Sequence, residues 1–199
     1  MALNIALADY GVGNLHSIRK ALELCGARPR VTTDMSSLLE AECIVLPGVG
    51  AFSRTMERLL PHREGIVRRL EEGVPCLGIC IGAHILFEGS EEGTSPGLSF
   101  LKGRVVRLAT EKVPHMGWNM VESQDPIFQG IDSRYFYFAH SFHGLPEEEV
   151  VIGETEYQVR FPSIFRKGNV IGTQFHPEKS SESGLRFLKN FVEFAEGRA

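Results

Sequence analysis

Residues 74–87 read VPCLGICIGAHILF, and their pattern indicates the fold class more clearly than any other segment. Residues 74–79 are uncharged, as expected for a parallel strand that is buried on both faces. Residues 82–87 are predicted to form a helix. A strand that passes through Gly-x-Cys-x-Gly into a helix is the pattern of a nucleophile elbow. The stretch therefore predicts an α/β fold in which Cys80 projects from the carboxyl end of a strand.

The elbow also gives Cys80 a chemical setting. The turn brings Gly78 and Gly82 close together, where side chains would clash. The amino end of the following helix favours a thiolate at Cys80. It also leaves the backbone N–H of Ile81 free to face a developing oxyanion. A buried structural cysteine is the alternative for such a motif taken alone. It is our interpretation of the three cysteines that lack a pair of glycines two residues before and two residues after, namely Cys25, Cys43 and Cys76.

A second chemical segment comes after the predicted strand at residues 170–175. It reads His176-Pro177-Glu178. Proline keeps the preceding residue out of the helical region, and in an extended segment residues two apart point the same way. Glu178 can then orient His176. This triplet alone is also compatible with a surface turn, but together with Cys80 it supplies a nucleophile, a base and an orienting carboxylate for acyl transfer through a thioester.

The order of predicted elements extends the fold assignment. The first half alternates predicted strands at residues 4–9, 28–32, 43–46 and 74–79 with predicted helices at residues 15–24, 54–60 and 64–72, which indicates a parallel sheet covered on both faces. Later strands are predicted at residues 104–108, 118–122, 135–138, 150–157, 163–166 and 170–175, before a helix at 182–196. We expect one domain over residues 1–199, a three-layer αβα sandwich whose mostly parallel central sheet carries an antiparallel extension.

Composition excludes several classes of protein. The chain has 199 residues and a net charge of -4, without a basic cluster for nucleic acid. Its four cysteines lack the spacing of a metal site or a disulfide framework, which fits a reducing compartment. Residues 1–4 lack the basic start of a signal peptide, and the longest uncharged stretch, residues 73–87, is too short for a membrane span. We expect a cytoplasmic protein without a membrane or metal site.

Six stretches carry a resemblance to a known family. The sequence resembles the class I, triad-type glutamine amidotransferases and, within them, the glutaminase subunits of imidazole glycerol phosphate synthase, an enzyme of histidine biosynthesis. The stretches are residues 9–15, 46–52, 78–82, 114–119, 139–142 and 174–180.

The resemblance implies roles for individual residues. Cys80, His176 and Glu178 would be the catalytic triad. An oxyanion hole would combine the N–H of Ile81 with the loop at residues 47–50, which supplies Val49 and Gly50. The substrate glutamine would be held by Gly48, Gly50, Ser141, Phe142 and the residue at position 84. Family members usually carry glutamine at that position, whereas this chain carries His84, whose neutral imidazole offers one donor and one acceptor.

The resemblance also implies a reaction and a partner. The chain would hydrolyse glutamine and pass ammonia to a cyclase subunit with a TIM-barrel fold, in a heterodimer and without a metal or organic cofactor. Candidates for contact with that partner are Asn14, Met116, Trp118 and Lys179.

Three other functions remain open. The chain could serve a different synthase, such as one that makes anthranilate or pyridoxal phosphate, although residues 114–119 and 176–180 argue against this. It could be a cysteine peptidase of the same general fold, with an extended peptide as substrate. It could also be a non-catalytic subunit that binds glutamine or scaffolds a partner, against which the intact triad argues.

Overall fold

The computed structural model describes residues 2–11, 15–48 and 50–197. The α-helices in these ranges are α1 His16–Leu24, α2 Phe52–Leu59, α3 Arg63–Glu71, α4 Ile81–His84 and α5 Ser181–Ala195. Short 3-10 turns occur at Met35–Glu40, Leu60–His62, Pro126–Phe128 and Pro177–Lys179. Across the described ranges, the helices are too short or too polar to cross a bilayer.

The strands in the same ranges are mostly short, and the longest lie in the second half of the chain. They are β1 Asn4–Ala8, β2 Arg28–Thr32, β3 Cys43–Leu46, β4 Cys76–Ile79, β5 Gly89–Ser90, β6 Gly103–Arg107, β7 His115–Met120, β8 Glu122–Ser123, β9 Tyr135–His140, β10 Phe142–Pro146, β11 Val151–Tyr157, β12 Val159–Lys167 and β13 Val170–Thr173.

The main sheet confirms the predicted mixture of directions. Its strand order is β2-β1-β3-β4-β13-β12-β11-β8. The pairs from β2 through to β13 are parallel, while β12, β11 and β8 continue the sheet in antiparallel fashion. The sheet is therefore mostly parallel with an antiparallel extension, as the sequence predicts.

Helices cover both faces of the sheet, and β3 shows how its sequence serves both. All four β3 residues are buried. Cys43 and Val45 pack in the cluster that includes the inner faces of α1 and α5. Ile44 and Leu46 pack in the opposite cluster, with α2 and α3. Because each face of the strand meets a different apolar layer, the strand is hydrophobic throughout rather than alternating.

Two smaller sheets lie outside the main one. Strands β10, β6 and β5 form one, and β7 pairs with β9 in the other. In the second sheet His115 lies directly opposite His140. This pairing places two buried imidazoles side by side, behind a strand whose alternate residues are exposed.

The structure differs from several of the predicted elements. The helix predicted at residues 82–87 is the short α4, because the carbonyl groups of Ile85 and Leu86 accept hydrogen bonds from the loop at residues 98–101 instead of from a continuing helix. The strand predicted at residues 118–122 begins earlier, as β7. Strand β10 was not predicted, because its sequence FHGLP contains two residues that are uncommon in strands.

Candidate active site

Three neighbouring parallel strands bring the chemical residues to one edge of the main sheet. Strand β3 runs into Gly48, β4 runs into Cys80, and β13 runs towards His176. In open parallel sheets, ligand sites form outside the carboxyl ends of the strands. A Cβ placed on Gly48 would lie 2.7 Å from His176 Cε1 and 3.2 Å from Cys80 Cβ. Gly48 therefore borders the space that the other two residues share.

Cys80 occupies a strained turn between β4 and α4. Its backbone has φ 50° and ψ −108°, a conformation that a non-glycine residue rarely adopts. The Cys80 N–H donates to the Thr173 carbonyl at 2.6 Å, which ties the turn to β13. A Cβ on Gly78 would lie 2.5 Å from the Gly82 carbonyl oxygen, and one on Gly82 would collide with the Leu46 carbonyl. The predicted elbow and the steric need for its glycines are thus present.

His176 and Glu178 lie side by side, although not for the predicted reason. His176 itself is extended, with φ −100° and ψ 94°, but Pro177–Lys179 forms a 3-10 turn. The turn directs Glu178 Oε1 to within 2.8 Å of His176 Nδ1. The His176 N–H also donates to the Tyr137 carbonyl at 2.8 Å. With Nδ1 donating to the carboxylate, Nε2 is the ring nitrogen left for Cys80.

The electrostatics of His176 favour its charged form. Burial by itself lowers the pKa of His176. Hydrogen bonds with Cys80 and Glu178, and the negative charges of the same two residues, outweigh burial and raise the pKa to about 10. The contacts with Cys80 and Glu178 therefore favour an imidazolium at position 176.

Gln174 is a site residue that sequence reasoning missed. Its side chain is fully buried. The Nε2 amide group donates towards Cys80 Sγ at 3.7 Å, and Oε1 lies 2.8 Å from His84 Nε2. A signal existed, since Gln174 lies two residues before His176 near a strand end, and such residues share a side.

For the other predicted site residues that it describes, the structure gives position and burial but does not test their roles. Ile81 opens α4 directly after Cys80, and Gly50 is exposed with φ 98°. Ser141 and Phe142 are half-buried, between β9 and the start of β10. Their roles towards an oxyanion or glutamine stay predictions. Val49 and Asn14 lie outside the described residues.

The sequence is similar to those of characterised proteins over nearly its whole length. The profile of the family described as glutamine amidotransferase class-I matches residues 6–194. The chain is 48% identical to "Imidazole glycerol phosphate synthase subunit HisH" of Methanocaldococcus jannaschii, over 95% of this chain and 98% of the relative. The protein of the same name from Moorella thermoacetica is 49% identical, over 95% and 94%.

This chain belongs to the class-I glutamine amidotransferases.

Solved structures agree on the fold. A structure of a glutamine amidotransferase superposes with a TM-score of 0.75 at 20% identity, covering 96% of this chain and 98% of that one. The structure of PurLQS from Thermotoga maritima gives a TM-score of 0.74 at 20% identity, covering 98% and 99%. The α/β architecture of this glutamine amidotransferase is therefore that of its family.

A chain of neutral imidazoles lies behind the site of this amidotransferase. His140 Nδ1 donates to the Phe142 carbonyl at 2.8 Å, which leaves its Nε2 to accept from His115 Nδ1 at 3.1 Å. His115 Nε2 then accepts from the Asn119 amide at 3.3 Å. Burial lowers the pKa of His115 to about 4 and holds the pKa of His140 well below its usual value. The hydrogen-bond chain joins β7 to the first residue of β10.

These buried histidines predict acid sensitivity. Burial also lowers the pKa of His84, from 6.5 to about 4. Between these two pH values the unfolded chain binds protons that the folded protein excludes, so the free energy of unfolding should fall as the pH drops. For His84 the loss is roughly 3 kcal/mol. Urea unfolding at stepped pH should give a flatter pH dependence for His84→Gln than for wild type; equal dependences would contradict the assignment.

The outer face of the β7–β9 sheet is apolar and exposed. Met116 is 64% exposed and Trp118 is 52% exposed. Met120 and Tyr135 extend the same surface. Lys179 is also exposed, with its Nζ 6.0 Å from the centre of the Tyr137 ring. We call this surface, formed by Met116, Trp118, Met120 and Tyr135, the β7–β9 outer face.

Proposed function

We propose that this chain is the glutaminase subunit of an imidazole glycerol phosphate synthase. It hydrolyses glutamine to glutamate and ammonia and passes the ammonia to a cyclase subunit that forms imidazole glycerol phosphate and AICAR. The observation that carries the proposal is the arrangement of Cys80 and His176, with Glu178 Oε1 2.8 Å from the imidazole. The family match and the relatives' names support the substrate and the pathway.

The first half of the reaction forms a thioester. The Cys80 thiolate attacks the side-chain carboxamide carbon of glutamine, and the carbonyl oxygen becomes an oxyanion. The N–H of Ile81 and an N–H of the loop around Gly50 stabilise that charge, each by about 3 kcal/mol. His176 gives its Nε2 proton to the departing nitrogen. The carbon–nitrogen bond breaks, and ammonia and a glutamyl thioester result.

The second half releases glutamate. The imidazole of His176, now neutral, takes a proton from water, which attacks the thioester carbonyl. The carbon–sulfur bond breaks, the thiolate returns, and His176 is again the imidazolium that Glu178 stabilises. The steps use only protein groups and water.

A partner is part of this proposal. Ammonia released into water would be protonated and lost, so the subunit that uses it should seal the site. The relatives are themselves described as subunits. We place the TIM-barrel cyclase against the β7–β9 outer face, with the complex in the cytoplasm and residues 1–199 as a single domain. Adjoining exposed apolar side chains of this kind mark protein–protein contacts.

Glutamine turnover tests the function directly. The rate of glutamate release should be low for the chain alone. It should rise when the co-purified cyclase is added, and rise again when the cyclase's own ammonia-accepting substrate is added. A loop that gains one oxyanion donor on activation would raise the rate on the order of 10²–10³-fold. Equal rates in all three conditions would contradict a partner-activated glutaminase. Turnover of extended peptides instead of glutamine would indicate a peptidase.

Met116→Glu should weaken binding of the cyclase. The substitution places a charge on the β7–β9 outer face, and such a change at the centre of an interface costs on the order of 10–100-fold in affinity. Leu24→Glu is the matched control, because Leu24 is equally exposed, at 64%, but lies at the end of α1. Titration calorimetry of both variants checks the prediction. Equal affinities would place the partner elsewhere.

A further inference from the structure

We propose that Gln174 is a further catalytic residue, whose side-chain amide holds the Cys80 thiolate, and that His84 is the positioning residue that fixes this amide. The inference rests on the proposed glutaminase function for its meaning in the reaction. Its physical basis is the run of contacts from His84 Nε2 to Gln174 Oε1, at 2.8 Å, and from Gln174 Nε2 to Cys80 Sγ, at 3.7 Å.

The backbone fixes where the Gln174 side chain begins. The Gln174 N–H donates to the Ser163 carbonyl at 2.9 Å. On either side, the Thr173 carbonyl accepts from Cys80 N–H at 2.6 Å, and the His176 N–H is bonded to Tyr137. The segment is thus tied to β12, the elbow and β9. Cys80 itself is fixed against the same segment, so the amide and the sulfur share one rigid frame.

The remaining freedom of Gln174 is the direction of its amide. An amide has two ends of nearly equal shape but opposite hydrogen-bonding character. With N–H towards sulfur, the amide stabilises an anion at Cys80. With its oxygen towards sulfur, it repels the anion and accepts a hydrogen bond from the neutral thiol instead. The choice between these states therefore bears on the nucleophile.

His84 determines which end of the Gln174 amide faces Cys80. Its side chain is 4% exposed, so water does not compete for the contact with Gln174. When the His84 proton is on Nε2, this atom donates to Gln174 Oε1 and turns the amide N–H groups towards Cys80. A side chain at position 84 that keeps an N–H donor would serve as well, and one without a donor would release the amide.

The contact between the Gln174 amide and Cys80 Sγ assists both halves of the reaction. In the resting site it gives the thiolate a second donor besides the imidazolium of His176, and charge-assisted hydrogen bonds are stronger than neutral ones. When the carbon–sulfur bond breaks in the second half, negative charge returns to sulfur, and the same N–H group receives it. The bond is weak while sulfur is a neutral thioester. The interaction therefore favours the charged states of Cys80 over the acylated one.

Alkylation of Cys80 by iodoacetamide measures the contact without glutamine or a partner. The thiolate is the reactive form. The rate of Cys80 alkylation in the isolated chain is measured by peptide mass spectrometry. Gln174→Leu should lower this rate on the order of tenfold. His84→Leu should slow it to a similar extent, while His84→Gln should stay within about twofold of wild type because it keeps a donor. In the double variant Gln174→Leu with His84→Leu, the rate should match that of Gln174→Leu alone.

Matched variants separate this effect from a loss of folding. Asn190→Leu removes a buried amide that bonds the Ile127 and Gln129 carbonyls, away from the sulfur, and should leave the alkylation rate unchanged. Gln174→Met keeps the shape of glutamine without its donor, and should behave as Gln174→Leu does if the latter folds poorly. Wild-type alkylation rates in folded Gln174→Met would overturn the proposal. Fully additive effects of the two leucine substitutions would remove His84 from it.

Turnover by the assembled complex supplies a separate readout. Gln174→Met should lower kcat with KM nearly unchanged, since the amide acts on sulfur and not on substrate. A raised KM at constant kcat would assign Gln174 to glutamine binding and overturn the proposal. Because alkylation needs no glutamine, a failure of the glutaminase function would leave that test intact, whereas a failure of this inference would leave glutamine turnover by wild type intact.

Discussion

Cys80→Ser is expected to abolish glutamine-dependent product formation, with a loss of at least about 10³-fold. The substitution replaces the sulfur atom with oxygen in a turn whose backbone is fixed by the hydrogen bond to Thr173. A serine hydroxyl is not ionised near neutral pH, so it is a poor nucleophile here. The partner's use of added ammonium salts should persist, because that reaction does not involve the glutaminase site. Both activities are measured on the reconstituted complex.

Cys25→Ser is the control for this variant. Cys25 lies beyond the end of α1, where its thiol donates to the Leu185 carbonyl, and burial raises its pKa to about 11. This variant should retain both activities. Near-normal glutaminase activity in Cys80→Ser would show that Cys80 is not the nucleophile.

Glu178→Gln should lower kcat on the order of 10²–10⁴-fold. Glu178 Oε1 accepts from His176 Nδ1, while the buried Oε2 has no hydrogen-bond partner among the described residues. In the variant, nothing on the Oε2 side holds the amide in one orientation. When its N–H faces Nδ1, the imidazole carries its proton on Nε2 and cannot accept another there. The variant also loses the charge that stabilises the imidazolium.

The measurement is glutamine turnover as a function of pH. Removing the carboxylate lowers the pKa of His176 from its value of about 10, so the imidazolium is lost at lower pH than in wild type. Glu182→Gln, an exposed position at the start of α5, is the control and should keep the wild-type profile. An unchanged rate in Glu178→Gln would remove the carboxylate from the mechanism.

Local patterns in the sequence were enough to predict two short parallel strands of the main sheet. The bounds of β2 and β3 match the prediction, because each strand is short and ends at a residue or motif that interrupts it. Elements stabilised by distant contacts were harder to predict. Strand β10 forms because it pairs with β6, about forty residues earlier in the chain, and neither its glycine nor its proline signals a strand.

The candidate site likewise contains residues that local motifs predict and a contact that they do not predict. Cys80, His176 and Glu178 belong to short motifs whose residue types indicate a nucleophile, a base and a carboxylate. The structure brings all three together. The contact between Gln174 and His84 joins residues ninety positions apart. It depends on the side-chain directions of a residue at the end of α4 and a residue just after β13, which no local pattern contains. The 3-10 turn at Pro177 was missed because proline restricts the residue before it but not the residues after it.

Strand β7 has a consequence for anyone who redesigns this enzyme. Met116 points outwards to the β7–β9 outer face, while its neighbour His115 points inwards and begins the hydrogen-bond chain that ends at the Phe142 carbonyl. A register shift of one residue would exchange these two sides. A new docking surface grafted onto β7 must therefore preserve the length and register of the strand. Otherwise the graft will also disrupt the buried hydrogen bonds of His115. The proposed docking surface and the hydrogen-bond chain to Phe142 thus lie on opposite sides of the same six residues.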